Sequence, residues 1–210
     1  MPKTVTFQKY ADRYEKWFEK NQRVYEAELK AVKSLLSEGQ YGMEIGVGTA
    51  RFAAPLGIKI GVEPSGRMRE FAQKRGIKVL GGVAEKLPFK DSTFKFVLMV
   101  TTVCFVDDIE KAFKEAYRVL SKGGHFISGL VDRNSSLGQI YLKDQNNSLF
   151  YKEATFYSVD EVLEIMKQTG FNDFSFRQTI FRKLSEITKH EAVKAGYGAG
   201  SFVVIRGRKK

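Results

Sequence analysis

The chain has 210 residues, 43% of them hydrophobic, with 35 Lys and Arg against 24 Asp and Glu and a formal net charge of +11. That length and apolar content suit one packed domain and exclude a disordered chain. A single cysteine, Cys104, excludes an internal disulfide. The two histidines, His125 and His190, offer no zinc-ligand spacing, so no protein-bound metal is expected.

No apolar run is long enough to span a bilayer, so no membrane partner is expected. The N-terminus, MPKTVTFQKYADRYEKWF, lacks the apolar core and cleavage site of a signal peptide, which leads to a cytoplasmic expectation. The basic residues are interleaved with Glu and Asp along helical segments, as on a solvated face. Only RGRKK (206–210) is a basic cluster. Nucleic acid is therefore a weighed but not favoured partner.

Residues 8–36 predict helix, with Tyr10, Tyr14, Trp17 and Phe18 near one stripe and a junction near Asn21. Residues 41–45 predict a strand, followed by the loop EIGVGTARF (44–52) and an expected helix. IKIGVE (58–63) is a second strand, and a helix capped by Ser65 and stopped at Gly76 follows. IKVL (77–80) and FKFVLMV (94–100) are the third and fourth strands. DDIEKAFKEAYRVL (107–120) predicts a helix with Asp107 as cap and Glu110 three residues on; Gly123 and Gly124 end it. HFISGLV (125–131) is the fifth strand. Residues 132–157 are polar with scattered aromatics and no clear period, the pattern of a lid or binding loop. Ser158 and Glu161 predict a capping box for a helix ending at Gly170, and FSFRQTIF and GSFVVIRG close the chain as strands. Alternating strands and helices argue for an α/β fold with a mostly parallel sheet covered on both faces.

The loop after the first strand carries the first chemical signal. Glycines there allow a sharp turn and a close backbone approach to a ligand. Glu63, at the end of the second strand, can accept hydrogen bonds from both hydroxyls of a ribose, or can be a surface residue at a strand end. Glu44, before the first glycine, would repel a pyrophosphate and attract an ammonium or sulfonium. It can also accept the loop's own N–H groups.

Four segments in order, EIGVGTARF, VEPSG (62–66), VAEKLPF (83–89) and RVLSKGG (118–124), resemble the class I S-adenosylmethionine-dependent methyltransferases of small-molecule type. The resemblance implies a Rossmann-like, mostly parallel seven-stranded sheet with an antiparallel last strand. It implies an N-terminal helical cap over 1–38, within one domain over 1–210 whose irregular segment 132–157 is read as a lid. It implies S-adenosylmethionine as cofactor and S-adenosylhomocysteine as product. Gly46, Val47 and Gly48 would pass against the methionine and ribose, Glu44 would steer the amino group, and Glu63 would hold the ribose diol. Pro64 or Met68 would pack on the adenine, Ala84 and Glu85 would meet its edge, and Thr101 would line the methionine end. The chain departs from the family at Ala50, where a third glycine is usual, at a methyl's cost if its φ is negative. It departs at Val83 and Lys95, where Asp is usual. Adenine's amino group would then use Glu85 or a backbone carbonyl.

The expected activity is methyl transfer to a small-molecule N or O nucleophile. Tyr10, Tyr14, Phe18, Tyr141 and Tyr151 are the expected acceptor-pocket residues, with Trp17 beside them, and all are equally ordinary packing residues. No general base is assigned: His125 opens a strand, His190 lies in a charged segment, and Cys104 suits a buried small hydrophobe. VTTVCF (100–105) after strand four is no NPPY-like motif, against methylation of adenine or glutamine amino groups. The alternatives are an RNA- or protein-directed methyltransferase, and a non-catalytic or NAD-binding protein.

Overall fold

The computed structural model describes residues 3–36, 39 and 41–210. Residues 1, 2, 37 and 38 of the predicted cap lie outside the described residues. Two helices, α1 (Val5–Lys20) and α2 (Gln22–Lys33), meet at Asn21, as the sequence predicts. The chain then runs through β1 (Gly42–Ile45), β2 (Ile60–Val62), α3 (Gly66–Lys74), β3 (Lys78–Leu80), β4 (Phe94–Val100), α4 (Ile109–Val119) and β5 (Leu120–Val131). It closes through α5 (Ser136–Lys143), α6 (Val159–Thr169), β6 (Phe171–Thr179), β7 (Lys194–Ala195) and β8 (Phe202–Lys209).

One sheet forms in the order β3-β2-β1-β4-β5-β8-β6-β7. Its first five strands are parallel, and β8 runs antiparallel between β5 and β6. It has eight strands rather than seven, because two residues, Lys194 and Ala195, pair antiparallel with β6 at the edge. The strands near the centre are buried on both faces, and in β4 only Lys95 is exposed. Alternation then divides β4 between two cores: Val97 and Met99 pack with α4 and α6, while Phe96, Leu98 and Val100 pack with α2 and α3. The strand order reverses between β1 and β4, and ligands bind at the carboxyl ends of strands beside such a reversal.

Several local expectations are corrected. No regular helix follows the glycine loop: residues 51–57 are turns. Pro55 has no N–H to give the Arg51 carbonyl four residues back, and the Tyr25 hydroxyl donates to that carbonyl instead. Helix α4 is capped by Asp108, not Asp107, and its side chain accepts from the Lys111 N–H at 3.0 Å. The third position after the cap is therefore Lys111, and no box with Glu110 forms. Gly123 and Gly124 fall inside β5, which starts at Leu120, and Gly123 takes φ +75°. Ala50 has φ +64°, the left-handed region, so the missing glycine costs backbone strain and not merely a methyl. Segment 132–157 contains a regular helix, α5, capped by the Ser135 hydroxyl on the Gly138 N–H at 3.1 Å. Gly138 is required there, because a Cβ would stand 2.1 Å from the Asp132 carbonyl oxygen. The Ser158–Glu161 capping box and the left-handed Gly170 form as the sequence predicts.

Candidate active site

A cleft opens at the carboxyl ends of β1, β2 and β4, under α1, α2 and α5. Its floor is the glycine loop. The N–H groups of Gly46 and Val47 donate to the Val62 carbonyl at 2.8 and 3.1 Å, which ties the loop to β2. Gly46 has φ +64°, and a Cβ there would stand 2.3 Å from the Thr102 side chain, so only glycine fits. Val47 does not line the cleft; it is buried against Gly61.

Glu63 leaves β2 at the cleft wall with 7% of its surface exposed. One carboxylate oxygen accepts from the Gly48 N–H at 3.0 Å and the other from the Ser65 N–H at 2.8 Å. Arg69 donates to the Glu63 and Pro64 carbonyls at 2.9 and 2.8 Å and fixes this bend. Burial pushes the Glu63 carboxyl up, and the two N–H groups pull it back. Each oxygen keeps lone-pair capacity toward the cleft.

Glu44 is 2% exposed and lies behind the loop, not on the cleft lining. The Ala53 N–H bonds its carboxylate, and its Oε2 has no hydrogen-bond partner in the structure. Burial raises its pKa well above the carboxylate range, and the nearby Glu63 adds to that.

Pro64, Met68, Ala84, Glu85 and Thr101 all line the cleft. Oε1 of Glu85 accepts from the Asp107 and Asp108 N–H groups at 2.8 and 3.2 Å, so that oxygen ties the wall to the start of α4. Thr101 has φ +48°, uncommon for a β-branched residue, with its N–H on the Gly129 carbonyl at 2.8 Å.

The upper half of the cleft is aromatic. Tyr14, Trp17, Phe18, Tyr141 and Tyr151 line it, as do Phe7, Phe52, Phe105 and Phe150, which the sequence reading did not single out. Tyr10 does not: α1 is kinked there, at φ −121° and ψ 29°, and Ala11 takes the buried position instead. Phe150 meets Phe7 and Tyr14 at ring separations of 5.5 and 5.9 Å, closing segment 132–157 against α1. Glu15 anchors α1 from below by pairing with Arg51 at 2.6 Å and with Arg75.

Glu28, on α2, also lines the cleft and was missed. The sequence carried a signal for it. Val24, Ala27, Ala31 and Val32 form the buried stripe of α2, and Glu28 is the one charged residue within that stripe. Cys104 is buried and bonds the Thr101 carbonyl, and burial pushes its thiol up to about 12, which leaves it a poor nucleophile. His125, in β5, pairs with Arg208 of β8, with burial and then Arg206 and Arg208 lowering its pKa, and His190 lies exposed beside Glu26. Neither lines the cleft. Among the described residues no cluster of His, Cys, Asp or Glu could hold a metal ion, and no helix is long and apolar enough to cross a membrane.

A Rossmann-like sheet with a glycine loop at the strand reversal and an acidic residue just past β2 is the arrangement found in nucleoside-binding α/β folds. The family described as "Methyltransferase domain" matches residues 43–128. A crystal structure of an S-adenosylmethionine-dependent methyltransferase of Thermotoga maritima, described as a possible histamine N-methyltransferase, superposes with a TM-score of 0.97. It shares 56% identity over 99% of this chain and 100% of its own. An uncharacterised protein of Methanocaldococcus jannaschii is 47% identical over 97% of this chain and 98% of its own length. Demethylmenaquinone methyltransferase of Chlorobaculum tepidum is 33% identical over 48% of this chain and 45% of its own. The chain belongs to the class I S-adenosylmethionine-dependent methyltransferases.

Proposed function

We propose that this cleft binds S-adenosylmethionine along its glycine-loop floor and methylates a small molecule held under the aromatic roof. The observation that carries the reading is Glu63. Its two oxygens are preset by the Gly48 and Ser65 N–H groups and keep lone pairs toward the cleft. That is a ready receptor for two vicinal hydroxyls. The unpartnered Glu44 Oε2, buried behind the loop, suits an ammonium reached through a water. Met68 and Pro64 supply the apolar face for a purine. Glu85, with one oxygen committed to α4, keeps the other for an exocyclic amine in place of the missing Asp at Val83.

The cofactor supplies an electrophilic methyl and its own leaving group. The protein's tasks are then alignment and exclusion of water. Gly46, Gly48, Glu63 and Thr101 would hold that cofactor so that its methyl faces the aromatic half of the cleft, where an acceptor would present a free lone pair. The acceptor's proton passes to solvent. Thr101, held in a strained conformation at the end of β4, lines the expected transfer point. Helices α1 and α2 act as the cap and segment 132–157 as the lid, joined over the cleft by Phe7, Tyr14 and Phe150. The enclosed, aromatic cleft favours a small acceptor over RNA or a protein side chain. The Thermotoga maritima relative's description points the same way.

Calorimetric titration with S-adenosylhomocysteine and with NAD tests this reading. Binding of S-adenosylhomocysteine alone is expected. Stabilisation by NAD alone would overturn it.

A further inference from the structure

Glu28 makes no hydrogen bond and no ion pair among the described residues, although it is 6% exposed. A carboxyl in that position is costly unless something completes it. It is not walled off in the core, because it lines the cleft. Tyr14 from α1, Tyr141 from α5 and Tyr151 beyond it all feel its charge. Burial raises all three tyrosine pKa values, so these neighbours are neutral hydroxyls and ring faces, not counter-ions. The one lysine on the lining, Lys3, bonds the Thr155 hydroxyl. Glu63, the acidic residue of the floor, brings no cation either. A lone carboxylate among aromatic rings, with no cation of its own, is the arrangement that receives a cation from outside.

We infer that Glu28 is the acceptor-binding carboxylate, and that the methyl acceptor is a small amine, cationic at rest, whose ammonium seats on Glu28 within the ring of Tyr14, Tyr141 and Tyr151. The inference rests on the cofactor reading above and adds the substrate class to it. It sets phenols and carboxylic acids at a disadvantage, because neither brings the positive charge that ionises and completes the Glu28 carboxyl. Tyr14 also reaches the glycine loop, since a Cβ on Gly48 would stand 3.9 Å from its hydroxyl, so one side chain borders both the loop and the aromatic half of the cleft.

Burial alone lifts the Glu28 carboxyl to about 8, so at neutral pH it is mostly protonated. Seating an ammonium ionises it and expels a proton. This is a signature that a purely structural Glu28 lacks. Before transfer the ionised Glu28 carboxylate takes one proton back from the ammonium, which frees the nitrogen lone pair that bonds the methyl carbon.

The test is calorimetry on protein saturated with S-adenosylhomocysteine, titrated with 2-phenylethylamine, 2-phenylethanol and phenylacetate. The amine is expected to bind, and the alcohol and acid at least tenfold more weakly. Glu28→Gln is expected to lose at least tenfold in amine affinity while holding S-adenosylhomocysteine as well as the wild type. Wild-type amine binding is expected to release about one proton at pH 7, read from buffers of different ionisation heat. That readout does not depend on the variant folding. Equal binding of alcohol and amine, unchanged amine affinity in Glu28→Gln, or binding without proton release would each overturn the inference. If the wild type fails to bind S-adenosylhomocysteine, the cofactor reading falls as well. If it binds S-adenosylhomocysteine and no amine, only the inference falls.

Discussion

Glu15 and Glu28 stand on adjacent helices and are almost equally buried, at 8% and 6% exposure. Glu15 is pushed up by burial, but hydrogen bonds from Arg75 and Arg51 outweigh that and hold its carboxyl below the usual range. Glu28 has only the burial, and rises to about 8. The first carboxylate is completed by the fold and fastens α1 to the glycine-loop segment and α3. The second is left for a ligand to complete. Burial of a charge therefore does not itself mark function; burial without a partner, on a cavity wall, does.

This contrast can be broken most strongly at Glu28. Its folded pKa lies above the unfolded one, so between about pH 4.5 and 8 the native chain holds a proton that the unfolded chain has released. Stability from this group is present below that window and is lost as pH rises through it, by roughly 3–5 kcal/mol at full extent. Glu28→Gln removes the loss. The variant is expected to unfold later than wild type at pH 9 and equally at pH 5, followed by denaturant titration at both values. A residue whose removal stabilises the protein while weakening amine binding at least tenfold is a site residue.

At Glu15 the sign reverses. Glu15→Ala strands Arg51 and Arg75, whose side chains are 22% and 28% exposed, and is expected to cost about 2–4 kcal/mol at neutral pH. Its contribution is present above the unfolded carboxylate pKa and fades as pH falls below it. The same denaturant titrations read it, and a variant as stable as wild type would remove the clamp from the account.

Glu63→Ala probes the floor of the cleft. The lost charged hydrogen bonds are expected to weaken S-adenosylhomocysteine by about 1–3 kcal/mol in calorimetry. An unchanged affinity would take the ribose role from Glu63. The smallest effect is expected at Ala50→Gly. Relief of left-handed strain, about 1–2 kcal/mol, is offset by the lost buried methyl and the added chain entropy, each below about 1 kcal/mol. A net change beyond about 1 kcal/mol by thermal denaturation would show that the loop is held differently.

How legible this was varied with the source of the signal. Strand β4 was legible to the residue, because seven near-continuous buried positions leave no other reading. Helices with side-chain caps and glycine stops, α3 and α6, were legible because local chemistry ends them. The turns at 51–57 were not, since the hydroxyl that replaces the missing Pro55 bond comes from Tyr25 on α2, remote in sequence. Helix α5 was hidden because Leu137 and its one aromatic, Tyr141, face the cleft rather than a periodic core. The glycine loop, Glu63, Pro64, Met68, Ala84, Glu85 and Thr101 are brought to one cleft, and each follows a strand that could be counted, within the next loop or, for Met68, the first turn of α3. Glu28 is of another kind: it interrupts an apolar stripe on a helix, and its meaning depended on knowing that the stripe forms the wall of a cavity.

The most direct measurement is methyl transfer itself. The protein is incubated with S-adenosylmethionine and an equal mixture of small amines, phenols and carboxylic acids, wild type beside Glu28→Gln, with products resolved by mass. The account predicts methylated amine from the wild type, little from the variant, and S-adenosylhomocysteine formed in step with product. Methylated phenol or acid as the main product, or equal amine turnover by the variant, would contradict it.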